Sequence, residues 1–569
     1  MTAANVTELP SPVTDGDGAA ARETAADRRA RLNVVELAYG LAEQHKVCRR
    51  PLVMLATDLD THGSKYIGAP CKSTLACVCP ACAERALRLR QQQAYEGWHM
   101  QEEPVTEKNP PTEQQTELLT ARARLMQEYD LAREDGDTDA MDGIREVVAD
   151  LDAELRETGI RGKLPALDPE PKKARKRSTR RRQEQPDLPR KKVAKTTIGR
   201  QYAGKYRPSL FVTLTLPSYG RVGPDGAPVN PDTYDYRQAA RDIIHFSALF
   251  DRFMQNYRRA SGRDVQYFAT VEPQKRGAPH IHIGIRGTDP KELIRQLAAA
   301  TYHQVWWPHF DQEVYSGGRM PYWDFTEHNA FVDPDTHEPV PTWREVLDHM
   351  DSVDELEPAH VVRFGQQVDV KGILGGTEEA SRHIGYLTKY LTKSIGDVIE
   401  PQSQRAADHY DRLHAELAMT PCSPTCGLWF RYGVVPKGAN AKTVPGLCKG
   451  KAHRRDTLGM RGRRVLVSRK WTGKDLADHK ADRAEFVRQR LAEAGISREV
   501  ISRLQITPAE PGDPNAPPRE HLIMQMVAQK ITQQAEYTRA LLAEPPGERV
   551  PRETESIAAQ QYSADNTAA

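Results

Sequence analysis

The stretch HIHIGIRG, residues 280–287, alternates with a period of two. That is the pattern of a β-strand with two different faces. In a strand, His280 and His282 point to one side while Ile281 and Ile283 point to the other, into a core. A second run, VQYFATVEP (265–273), precedes it across a turn at Gln274–Pro279 and reads as the neighbouring strand. Two imidazoles on rigid backbone are a preformed pair of metal ligands, and Glu272 on the preceding strand can add a hard oxygen. Two nitrogens and a carboxylate with open positions suit Mg²⁺ or Mn²⁺ acting on a phosphate better than a closed zinc site. Taken alone, the pair is equally compatible with partly exposed strand histidines.

The surrounding chain carries further strand and helix patterns. SLFVTLTLP (209–217) is rich in β-branched residues and reads as a strand. Residues 238–259 place Phe246, Phe250, Phe253 and Tyr257 on one helical stripe. A helix is expected over about 290–306, a loop-rich stretch over 307–358, and one strand around HVVRFGQQVDV. Downstream, YLTKYLTKS (386–394) repeats a four-residue word. On a helix, Tyr386, Lys389, Tyr390 and Lys393 share one face, opposite Ile384, Leu387 and Leu391. An ordinary amphipathic helix would look the same. Near a metal or another cation, however, a phenol with a free pKa of about 10 shifts towards phenolate, and ammonium groups stabilise charge building on a phosphate.

Three of these elements, FVTLTLP, EPQKRGAPHIHI and YLTKYLTK, occur in an order that resembles the three motifs of the His-hydrophobic-His (HUH) endonucleases. The phrases VEPQKRGAPHIHIGIRG and PGLCKGKAHRRDTLGMRGRRVLVSRKWTGK are similar to the rolling-circle replication initiators of actinobacterial plasmids and integrative elements. The resemblance covers about residues 200–490, and the first cysteine group more loosely. It implies an α+β nuclease domain over 208–405, with a central antiparallel sheet flanked by helices, the HxH pair on a central strand and the tyrosine helix beside it. It further implies a divalent metal held by His280, His282 and Glu272, at the scissile phosphate of single-stranded origin DNA. Tyr386 or Tyr390 would attack, leaving a 5′-phosphotyrosine link and a free 3′-hydroxyl primer; Lys389 and Lys393 would stabilise the charge. The two tyrosines would sit roughly 6 Å apart on the helix, close enough for both to serve one site. Conjugative relaxases and single-strand transposases share these parts. Relaxases, however, usually place the tyrosine ahead of the histidines, and such transposases are often much shorter. A non-catalytic zinc-containing DNA-binding regulator is the alternative from another class.

The chain has eight cysteines. Cys71, Cys79 and Cys82, preceded by Cys48, offer four thiols for a structural Zn²⁺ within a module spanning 46–100, with Cys77 a spare that could replace one of them. A redox CxxC at Cys79/Cys82 lacks the βαβ setting such motifs have. Cys422, Cys426, Cys448 and His453 read as a Cys₃His zinc site in a second module, 406–485.

Charge is strongly segregated under a net +2. Residues 172–195 carry twelve Lys and Arg against two acids, so the rest of the chain sums to −8. Residues 445–474 hold ten more against Asp456, including Arg454, Arg455, Arg463, Arg464, Arg469 and Lys470 interleaved with Trp471. Such runs point to a polyanion as partner; the resemblance to initiators implies that it is double-stranded origin DNA, with a host helicase a further candidate partner. A mostly disordered 1–45 with a short apolar helix around Val34–Leu41, a charged helical 101–160, a basic Pro-rich linker over 161–207, and a helical then disordered 486–569 complete the expected organisation. No signal peptide and no apolar run long enough to span a bilayer are evident, so a cytoplasmic location is expected.

Overall fold

The computed structural model describes residues 34–104, 111–160, 164–168, 188–198, 201, 207–353, 355–375, 377–389, 391–393, 395–460, 464–493 and 504–543. Among them no helix is long and apolar enough to cross a membrane. The fold is mixed α+β, and its sheets are antiparallel throughout. The chain forms two compact units: one from its beginning to Leu89 with Thr392–Ser394 and the region after Lys480, the other from Arg90–Leu391 and Ile395–His479.

In the first unit, helix α1 (Val34–Gln44) leads to strands β1 (Leu52–Asp58) and β2 (Ser64–Ala69) and to the start of α2 (Pro80–Trp98). Helix α10 (Leu476–Glu493), strand β12 (Leu504–Pro508) and helix α11 (Arg519–Ala543) follow near the end of the chain. β12 adds to β1, giving the order β12-β1-β2. On α11, Ile523 and Val527 are buried with Ala38, Ala42 and Val47. The C-terminal segment expected to form a separate helical tail is thus part of the N-terminal cysteine unit, and residues 544–569 lie outside the described residues.

The second unit begins with the end of α2 and a helical hairpin, α3 (Glu113–Asp135) and α4 (Thr138–Glu157). Thr112 and Gln115 form a capping box at its start, Gly136 turns it in the left-handed region, and the half-buried ion pair Arg122–Asp152 joins its arms. The basic run 170–187 lies outside the described residues.

The main sheet of this unit is built from β3 (Arg207–Thr215), β4 (Tyr267–Pro273), β5 (Pro279–Arg286), β10 (Val368–Gly375) and β11 (Val465–Val467). Its order is β10-β3-β5-β4-β11, so the HxH strand lies in the middle. One face carries Val212, Leu214, Ile281, Ile283 and Ile285 into a core with α5 (Tyr236–Ser261). The stripe Phe246, Phe250, Phe253 and Tyr257 of α5 is fully buried there, each ring stabilising the fold by roughly 1.5–3 kcal/mol. The opposite face carries Phe211, Phe268 and Ile373 under Trp98, Trp471 and the helix α8 (Glu378–Thr388).

Around this sheet sit α6 (Lys291–Ala300), the ribbon of β6 (Tyr302–Val305) with β9 (His360–Arg363), the hairpin of β7 (Tyr322–Asp324) and β8 (Ala330–Val332), α7 (Trp343–Ser352) and α9 (Gln404–Met419). Three expectations are revised. The helix expected over 290–306 stops at Ala300, where the chain turns into β6. The stretch 307–358, expected as loop, contains a hairpin and a helix. HVVRFGQQVDV is two strands in two sheets, broken at Gly365. A Cβ there would lie 2.8 Å from the Leu216 carbonyl oxygen, so the chain crosses at backbone contact distance.

Gly284 on β5 is also held to glycine by packing. A Cβ would meet the Trp98 ring at 2.7 Å, and the same indole donates from Nε1 to Ser209 Oγ at 2.7 Å. Gly284→Ala is expected to cost about 1–3 kcal/mol in urea unfolding followed by tryptophan fluorescence. Gly372→Ala, where nothing lies within 4 Å, should cost far less. Equal costs at the two positions would contradict this packing.

Candidate active site and metal-ligand clusters

The register of the main sheet builds the site. His282 pairs with Thr213 on one side and Thr270 on the other, and His280 pairs with Glu272. Residues directly opposite in an antiparallel pair share a face, so these side chains emerge together on the side away from α5. The two Nε2 atoms lie 2.9 Å apart. Thr213 Oγ1 lies 2.9 Å from His282 Nδ1 and holds that ring's orientation. Phe211 stacks on His282 at 5.7 Å and meets Tyr386 edge-on at 6.0 Å.

Glu272, His280 and His282 each offer a ligand atom, all within 4.8 Å of one another. Burial pushes the Glu272 carboxyl up to about 7, against the opposing pull of Arg464 and Lys389. Burial likewise depresses His280 to about 4; for His282 burial, then His280 itself, lowers it to about 3. Neutral imidazoles are the ligand form. Glu272 Oε1 is buried without a hydrogen bond among the described residues, a cost that a cation would remove. The donor set therefore fits a divalent cation.

Helix α8 brings Tyr386 to this cluster. Its Thr377 N-cap accepts from the Ala380 amide, Ile384 and Leu387 face the core, and Tyr386 projects outward, 46% exposed. The Tyr386 hydroxyl lies 3.4 Å from His282 Nε2. The helix expected to continue through Lys393 ends at Thr388. There the Thr388 hydroxyl donates back to the Ile384 carbonyl at 2.8 Å, and the Lys389 amide bonds three residues back to Tyr386. Lys389 acts on Glu272 through space. Tyr390 lies outside the described residues, and Lys393 falls in the first unit. The structure thus gathers Glu272, His280, His282, Tyr386 and Lys389.

Both cysteine groups also converge. In the first unit the ligand atoms of Cys48, Cys71, Cys79 and Cys82 lie within 4.8 Å of one another; Cys77 is exposed and stands apart. Cys48 and Cys79 sulfurs are 3.8 Å apart, and the Cys71 amide donates to Cys48 Sγ. In the second unit Cys422, Cys426, Cys448 and His453 form the other group, with Cys422 and Cys448 sulfurs 4.0 Å apart. His453 Nδ1 donates to the Leu417 carbonyl at 2.8 Å, which turns Nε2 towards Cys426 Sγ at 3.5 Å. These separations are far longer than a disulfide, and near the roughly 3.8 Å edge of a tetrahedron with 2.3 Å metal–sulfur bonds. The donors fit zinc.

The basic run is less open than its composition suggests. Arg454 pairs with Asp456, Arg455 with Asp411, and Lys470 with Asp264 at 2.9 Å. Arg469 is exposed, and Arg463 lies outside the described residues. Trp471 is a core residue whose Nε1 donates to the Gln93 carbonyl. Arg464 lies half-buried at the sheet edge, donating to the Val271 carbonyl and pulling electrostatically on Glu272. Its place beside the ligand cluster was hidden in the run of like charges. Thr213 was visible only as an alternating position in FVTLT.

A carboxylate, two imidazoles and a phenol thus converge on one face of an antiparallel sheet, and comparison with known proteins places the chain. The family model RepSA, described as "Replication initiator protein, pSAM2", matches residues 35–529, and the chain belongs to this replication initiator family. A protein of Streptomyces ambofaciens named "Replication initiator protein" is 26% identical over 285 residues, covering 39% of this chain and 52% of the relative. The chain thus spans about half the length of that curated relative. No solved structure matches.

The buried carboxyl carries a pH signature. The proton that Glu272 holds in the folded state up to about pH 7 is released from the unfolded chain near 4.5. Its stabilising contribution is therefore complete below about pH 4.5 and lost as pH rises through 7. Without added divalent cation, Glu272→Gln should be more stable than the parent by on the order of 2–3 kcal/mol near pH 8, with the difference shrinking towards pH 4.5. Urea midpoints at the two ends of that range check it, and a pH-independent difference would contradict it.

Proposed function

We propose that this protein is a rolling-circle replication initiator that nicks one strand of its origin by tyrosine transesterification. The observation that carries this reading is the Tyr386 hydroxyl, exposed and 3.4 Å from the imidazole pair that shares its face with Glu272. His280, His282 and Glu272 would hold Mg²⁺ or Mn²⁺. Such an ion, when bound, draws charge from a phosphate oxygen and makes the phosphorus more electrophilic.

The chain's own residues supply the rest. Thr213 and Phe211 fix the His282 ring, and α8 fixes the Tyr386 oxygen beside it. Tyr386 Oη forms the new bond to phosphorus as the bond to the 3′-oxygen breaks; the phenolic proton is lost and the 3′-oxygen gains one. The 5′-phosphate of the downstream fragment is left esterified to Tyr386, and the free 3′-hydroxyl of the upstream fragment is the primer. The ester conserves the energy of the broken phosphodiester, so the product strand can be rejoined by the reverse attack without a nucleotide cofactor. Lys389 offers positive charge for the phosphate and phenolate. A second attack by Tyr390 would serve the closing cut.

Two experiments test this reading. Incubated with Mn²⁺ or Mg²⁺ and a single-stranded oligonucleotide carrying the origin, the protein should form a covalent adduct stable to denaturing gels. Tyr386→Phe should reduce it at least about a hundredfold, as loss of a covalent nucleophile does. Wild-type yield from Tyr386→Phe would reject the assignment. For the cysteine groups, the purified chain should carry two zinc ions by plasma mass spectrometry, with Cys79→Ser and Cys426→Ser each losing one. Full-length folded protein without zinc would reject that part.

A further inference from the structure

A cavity of about 550 Å³ opens in the first unit beside the Cys48–Cys82 cluster, and none of the chemistry above uses it. Its walls come from both ends of the chain. Arg85 and Arg88 project from α2; Lys46 and Lys72 flank the cysteines; Lys480, Arg483 and Lys530 come from α10 and α11. Among the described residues, seven cations thus face one carboxylate, Glu84, which is already engaged by Lys46 at 3.2 Å and by Arg88. Burial, then Arg85 and Arg88, push the Lys530 ammonium down from its usual range. A fold that gathers like charges bears self-repulsion, which a polyanion relieves on binding.

The remaining lining among the described residues is Pro70, Ala81, Cys82, Ala86 and Leu89, none of them aromatic. Sites for unpaired strands stack bases on aromatic side chains. This cleft instead offers alkyl stems tipped with charge, which suits a phosphate rail whose bases stay paired. We propose that it is a docking surface for the backbone of duplex DNA, through contacts that do not involve Tyr386 or its neighbours.

The test uses the full chain and a duplex of unrelated sequence, with affinity followed by fluorescence anisotropy over a salt series. Each lost phosphate contact removes about 0.9 from the slope of log affinity against log salt. The triple variant Lys480→Gln/Arg483→Gln/Lys530→Gln should therefore flatten that slope by about 2.7 and weaken duplex binding at least about tenfold. Lys480→Arg/Lys530→Arg should keep the parental slope, which separates charge from folding. An unchanged slope in the triple variant overturns the proposal. So does a variant that loses only single-stranded oligonucleotide, or only polyglutamate, because the occupant would then be an unpaired strand or an acidic polypeptide. The readout is binding, so it is independent of whether the chain nicks DNA.

Discussion

The candidate site depends on one register. Antiparallel pairing of β5 with β3 and β4 sets His282 between Thr213 and Thr270 and puts His280 opposite Glu272. A slip of one residue would turn both imidazoles into the core and Ile281 and Ile283 out of it. What prevents the slip lies on the other face, where those isoleucines and Ile285 are fully buried against α5. Exposing them would cost roughly 1.5–3 kcal/mol each. The apolar face therefore holds the polar one in place, and the ligand atoms inherit the rigidity of a packed core.

On that frame three titratable side chains are held close together. A carboxyl and two imidazoles are drawn out of water together, and burial biases all three towards their neutral forms. Arg464 and Lys389 add positive charge at the rim and pull Glu272 back towards ionisation. A bound cation would satisfy the Glu272 oxygen that has no hydrogen bond among the described residues. Helix α8 then stops just before Lys389, and Tyr386 on its last full turn reaches the cluster.

Much of this was legible from local pattern. Period-two alternation marks β3, β4 and β5, the aromatic stripe marks α5, and cysteine spacing groups the same eight side chains that converge in space. These signals are local, or rest on residue types with few other uses. What stayed hidden was non-local. LQITP gives no sign that it pairs with β1 more than four hundred residues earlier. The split of HVVRFGQQVDV hinges on a close approach of Gly365 to Leu216, which alternation does not encode. Composition also cannot distinguish a guanidinium facing solvent from one paired with an acid. Hence Arg454, Arg455 and Lys470 looked freer than they are, and Arg464 looked like its neighbours.

The most direct measurement of the central claim is the identity of the residue joined to DNA. The protein is reacted with an origin oligonucleotide in Mn²⁺, digested with protease and nuclease, and the modified peptide is sequenced by mass spectrometry. The account predicts a nucleotide phosphate on Tyr386 at the first cleavage. A first-cleavage adduct on any other residue, with Tyr386 unmodified, would contradict it.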